Sequence, residues 1–183
     1  MRLFENGLGR LTHFLTWLVQ YTILNIIISL LYALHINKWV FAEDSFGCIF
    51  LTSFLALESL FAFVWALRPL SNTPRMAMIV TGFCSFLSFA LSYASDQKEG
   101  VLDLSTRKSY ALSPFTAIKN TLDTYAIFHA MSYPMNFESW ETKRFNWSLK
   151  IGADQMIVNF LVWLAIALAI ELGISGYRYY RRT

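Results

Sequence analysis

Apolar residues along this chain fall in long runs with few interruptions, and strict alternation of apolar and polar positions is missing. Four runs stand out, at 11–34, 47–67, 76–94 and 156–175. Each approaches the roughly 20 residues that a helix needs to cross about 30 Å of hydrocarbon. A bilayer core holds no water to satisfy backbone groups, so runs of this kind must be helical. The pattern predicts an all-α, polytopic membrane protein with four transmembrane helices. A soluble bundle would require a polar face on every helix, and the third and fourth runs carry no charged one.

The remaining mass, residues 95–155, reads as an extracytoplasmic loop domain between a three-helix segment (1–94) and a last helix with a basic tail (156–183). Ser113 and Pro114 form a helix start, with a capping hydroxyl and proline at the first helical position. The spacing predicts an amphipathic helix over 114–132, ending before Pro134. Phe115, Ile118, Leu122, Tyr125 and His129 share one face, opposite Lys119, Asn120 and Asp123. Such a helix is expected to lie on the outer leaflet or against a partner. Phe128 and Met131 at its end, with Trp140 and Trp147 in the mixed stretch "MNFESWETKRFNWSLK", are the expected partner surface. Aromatic side chains suit membrane and protein interfaces alike.

Composition supports the membrane as solvent. Of 183 residues, 56% are hydrophobic and 15% charged, with a mean hydropathy of +0.43. Charge then gives a direction. Arg2 and Arg10, Arg68 and Arg75, and Arg178, Arg181 and Arg182 flank the runs on what a four-pass chain makes one side. Because basic flanks stay in the cytoplasm, both termini are expected there. The net charge of +3 therefore reflects anchoring to a lipid bilayer, and no direct nucleic-acid partner is implied. Glu5 among the first basic residues, and the lack of a small-x-small cleavage site, favour a retained first helix over a signal peptide. A bacterial inner membrane is the favoured setting. In a eukaryotic secretory membrane the sequon at Asn146 would be open to glycosylation.

Specific chemistry is thin. His13, His35 and His129 fall at different depths, so no metal site is expected. Cys48 and Cys84 are separated by about 12 Å of helical rise, too far for a disulfide. No glycine-rich phosphate cradle or nucleophile elbow is present, and no cofactor is expected.

The polar residues inside the apolar runs are the best lead. Gln20, Asn25, Glu58 and Glu171 all fall between mid-membrane and its inner half, whereas Asn159 lies elsewhere on the last helix. A carboxylate at the bilayer centre costs about 2.5–3.5 kcal/mol on insertion scales. Glu58 must therefore face inward, be neutral, or have a partner. It reads as a hydrogen-bonded contact joining helices, through Gln20 or Asn25; the alternatives are a wet ion or proton path and a catalytic acid. Small residues that let helices approach are expected at Ala62 and Ala66, at Ser85 and Ser88, and at Ala165, Ala169 and Gly173. The sequence thus predicts a non-catalytic membrane subunit that forms a homo-oligomer or assembles with partners and presents its outer domain for recognition or sensing. A separate protein, docked on the tails or the turn from Arg68 to Arg75, is the expected partner. Envelope-complex, immunity, exclusion and phage-defence components are analogies of shape alone. An oligomeric channel using Glu58 is the alternative, and a membrane-embedded enzyme the third class.

Overall fold

The computed structural model describes residues 10–39, 44–68, 73–96, 108, 111–131, 134, 136–137, 139–142 and 147–180, without the side chains of 10–11, 74, 88–89, 91–96, 139 and 174–180. Every element among them is helical: α1 (Arg10–Trp39), α2 (Phe46–Leu67), α3 (Pro74–Asp96), α4 (Pro114–Ala130) and α5 (Leu149–Tyr180), with a 3-10 turn at Ser139–Glu141. The expected roles of Ser88, Arg2, Arg178, Arg181, Arg182 and Asn146 fall outside what is described.

Three helices, not four, are long and apolar enough to cross a bilayer: Thr12–Trp39, Phe46–Leu67 and Leu149–Gly173. They give the chain the character of a multi-pass membrane protein. The run at 76–94 does not join them, because the apolar part of α3 among the described residues covers only Arg75–Leu87. α3 itself runs for 23 residues, Pro74–Asp96. The even number of passes that placed both termini on one side is therefore not met by α1, α2 and α5 alone.

α2 is the central helix and packs on α1, α4 and α5. Its pairing with α1 is antiparallel. Phe14 meets Trp65 edge-on with ring centroids 5.4 Å apart, and Tyr21 stacks on Phe61 at 4.7 Å. At the other end Ala33 and Ile49 share a core cluster. Ala62 and Ala66 are buried on this helix, and Ala66 packs with Ala167 of α5. At the end of α2 the Arg68 guanidinium lies 4.8 Å from the Trp65 ring centroid, a cation–π contact that holds the basic group at the helix terminus.

α4 differs from its expected placement. Its first turn lies beside Phe63, whose ring is 6.2 Å from that of Phe115. Farther along, Tyr125 and Phe128 cluster with Ala33, Ile49 and Leu149. α4 therefore runs antiparallel to α2 and along most of its length, not apart from the apolar helices. The expected apolar stripe is also turned: Leu122 and His129 are exposed, whereas Thr116, Asn120, Thr121, Thr124, Tyr125 and Phe128 are buried. Two of these hydroxyls face the interior because their own helix satisfies them, Thr121 Oγ1 donating to the Ala117 carbonyl and Thr124 Oγ1 to that of Asn120, each at 2.8 Å, whereas Thr116 Oγ1 is buried without a partner. α3 packs mainly along α4 and less on α2. Ala77, Val80, Thr81, Cys84 and Ser85 form the partly covered stripe of α3.

Where α4 meets α5, Gly152 is required by space. A Cβ there would run into Thr121 Oγ1, and would lie 3.2 Å from Trp147 Nε1. Overpacking of this kind costs about 1–3 kcal/mol, against about 1 kcal/mol gained when alanine replaces glycine in a helix. Gly152→Ala is expected to lower the thermal unfolding midpoint in detergent, and adding Thr121→Ala should restore it. A Gly152→Ala variant that melts above the parent chain would contradict the close approach.

Candidate functional site

The interior of the helical bundle contains a polar seam. Asn25 projects from the α1 face that also carries Ser29 and Ala33, and all three are buried. Across from it Glu58 is 4% exposed. Asn25 Nδ2 donates to Glu58 Oε1 at 3.0 Å. A side chain of α1 thus holds the carboxyl of α2 inside the bundle.

A second polar contact lies between α4 and α5. Asn159 is fully buried, and its Nδ2 donates to the Ala111 carbonyl at 2.8 Å. Trp163 Nε1 donates to the Leu112 carbonyl at 3.1 Å. These two α5 side chains hold the chain that enters α4. Asn159 lies about 15 Å, and Trp163 about 21 Å, along α5 from Leu149, counting 1.5 Å per residue. Irregular backbone at that depth needs protein donors, since lipid has none.

Among hydroxyl groups, Thr52 Oγ1 donates to the Cys48 carbonyl at 2.8 Å and lies 3.5 Å from the Tyr125 hydroxyl. The Ser29 hydroxyl is buried without a hydrogen-bond partner. On the outward side of α4, Lys119 Nζ and Asp123 Oδ2 form an ion pair at 2.6 Å, with side chains 27% and 43% exposed.

The other residues singled out by sequence divide. Gln20 is exposed. It is five positions before Asn25, which at 100° per residue puts it on another side of α1. Glu171 is partly buried. Ala165, Ala169 and Gly173 are exposed, and Ala167 is the buried small residue of that stretch. Two members of the expected partner surface are interior: Phe128 is 3% and Trp147 1% exposed. Trp147 packs with Ala111, Ala117 and Met156. Met131 is exposed, and Trp140 is partly buried against the cluster of Tyr125 and Phe128. Among the described residues no three His, Cys, Asp or Glu side chains converge as a metal site.

Sequence reasoning missed Ser29 and Thr52, and placed Tyr125 on a helix stripe without its contact to Thr52. The available signal was phase. Thr22, Asn25, Ser29 and Ala33 recur at three- and four-residue steps, a stripe that no neighbouring register of α1 offers.

Comparison with protein families, with characterised proteins and with solved structures finds no match.

Proposed function

We propose that the chain is a non-catalytic integral membrane subunit and that it assembles through the outward side of α4, which packs along the spans. The observation that carries this reading is the Lys119–Asp123 pair. It sits midway along a helix packed lengthwise on the spans, with Asp123 nearly half exposed. A charge pair facing hydrocarbon is costly, so such groups turn towards protein or a water-filled space. A second copy provides both complementary charges, and a separate protein could contribute to the same cover.

The other polar groups support assembly over conduction. Glu58 is engaged by Asn25, and Asn159 by the Ala111 carbonyl. The basic Arg68 and Arg75 favour a cytoplasmic place for the end of α2.

The test is the mass of the intact complex after extraction in mild detergent. Several copies, or a stoichiometric protein partner, are expected for the parent chain. Lys119→Leu with Asp123→Leu should preserve the fold and weaken association by tenfold or more. A parent chain that runs as a single copy without a partner would refute the proposal. Ion flux in liposomes that disappears with Glu58→Gln while complex mass is unchanged would instead establish the channel.

A further inference from the structure

One side of α4 is left uncovered by the rest of the chain. Lys119, Asp123, Ala126 and Ala130 recur along it at steps of three and four residues, within an arc of about 60° at 100° per residue. Ala126 and Ala130 are exposed, and the side chains of Lys119 and Asp123 are 27% and 43% exposed. Thr121, Thr124 and Phe128, on the opposite side of the helix, are buried. Depth follows from two contacts. Phe115 lies beside Phe63 and Tyr125 beside Thr52, so Lys119 and Asp123 fall level with the middle of α2, a helix able to span the bilayer. Charged groups at that depth turn towards protein or water.

The chemistry of the arc names what covers it. The bond from Lys119 takes one acceptor position of the Asp123 carboxylate, and an ionised carboxylate offers about four. Its exposed side can therefore accept from a further cation. Two copies inserted in the same orientation are related by an axis along the membrane normal, and each residue near that axis meets its own counterpart at the same depth. Ala126 and Ala130 suit such a self-contact, because small residues four apart let two helix backbones approach closely. The same approach brings the two Asp123 carboxylates, one turn from Ala126, near each other, and they repel unless cations come between. Lys119 supplies those cations. It already reaches one turn along its own helix to Asp123, and a similar reach attains the same height on an adjacent helix.

We propose that two copies of this chain pair α4 against α4, crossing in parallel at Ala126, with each Lys119 bridging its own Asp123 and that of the second copy. The pairing rests on the reading of this side of α4 as the assembly surface and names its occupant.

Full chains carrying two different affinity tags, co-expressed and extracted in mild detergent, provide the test. Lys119→Asp makes the arc wholly acidic and Asp123→Lys makes it wholly basic. Either variant alone should self-associate about tenfold more weakly than the parent chain, since like charges then face each other, and the two together should recover association as a mixed pair. A chain with both changes, Lys119→Asp and Asp123→Lys, keeps every contact with its sign reversed and should associate as the parent does. Ala126→Cys, oxidised in the membrane with copper–phenanthroline, should give a covalent dimer, because a disulfide needs Cα atoms within about 7 Å. Ile157→Cys, exposed on α5, should not. Mixed chains that associate no better than either variant alone, or an Ala126→Cys chain that crosslinks no more than the Ile157→Cys chain, would overturn the pairing. If the parent chain nonetheless runs as several copies or with a protein partner, assembly stands and only this occupant is rejected.

Discussion

Removing the donor to the buried carboxyl of Glu58, by Asn25→Leu, is expected to destabilise the folded chain by about 1–3 kcal/mol, the cost of leaving a buried acceptor without its partner. Interhelical hydrogen bonds between neutral groups in membranes average less, about 0.6 kcal/mol, because the unfolded helices find other partners in the bilayer. Glu58 is 4% exposed, and that enclosure makes this case the larger one. Glu58→Gln keeps an oxygen for Asn25 to bond and should change stability little. Adding Glu58→Leu to Asn25→Leu removes the stranded group, and most of the lost stability should return, since replacing both partners with apolar groups of similar shape is nearly neutral. Unfolding midpoints of the parent chain and the three variants in one detergent give the comparison. A double variant no more stable than Asn25→Leu alone would show that the helix pair needs this polar contact for something other than satisfying Glu58.

Much of this contact was legible in the sequence. Counting depth along antiparallel helices put Asn25 and Glu58 at one level, and the cost of a charge in hydrocarbon turned Glu58 inward. Depth does not supply phase, which explains the parallel choice of Gln20: it has nearly the right height but the wrong side. The stripe of Ala165, Ala169 and Gly173 failed for the same reason. Four-residue spacing marks a possible seam on any helix, and only the neighbour decides which seam is used. Here the neighbour selects Ala167.

The loop domain was less legible because polarity was read with water as the solvent. With Lys119, Asn120 and Asp123 taken as the outer face, α4 appeared to belong on a surface. Beside α2 and α5 the useful distinction is between groups their own helix can satisfy and groups it cannot. Threonine hydroxyls return to carbonyls one turn back and turn inward, while Leu122 and Ala126 face out. Trp147 and Phe128 carried no signal able to separate a docking surface from a core. The same amphipathic rings serve both, and their burial follows from the long-range return of residues 111–128 along α2 and α5.

That return depends on Asn159 and Trp163, and their loss is the second large effect expected. Asn159→Leu conserves volume approximately but leaves the Ala111 carbonyl without its donor, at a cost of about 1–3 kcal/mol. Trp163→Phe keeps most of the ring, which meets Phe63 edge-on at 4.9 Å, while removing the bond to Leu112. The two bonds hold consecutive carbonyls, so the second loss should exceed the sum of independent effects if the entry to α4 is released as a unit. Together they should cost at least the roughly 2–6 kcal/mol that one to three for each stranded carbonyl gives. Thermal unfolding in detergent measures the loss, and a thiol reagent locates it. With Ala111→Cys, a fully buried position, in both backgrounds, a water-soluble maleimide should react at least tenfold faster once Asn159 and Trp163 are changed. Unchanged reactivity alongside a lowered midpoint would mean that the carbonyls stay buried and that the two side chains act through packing alone.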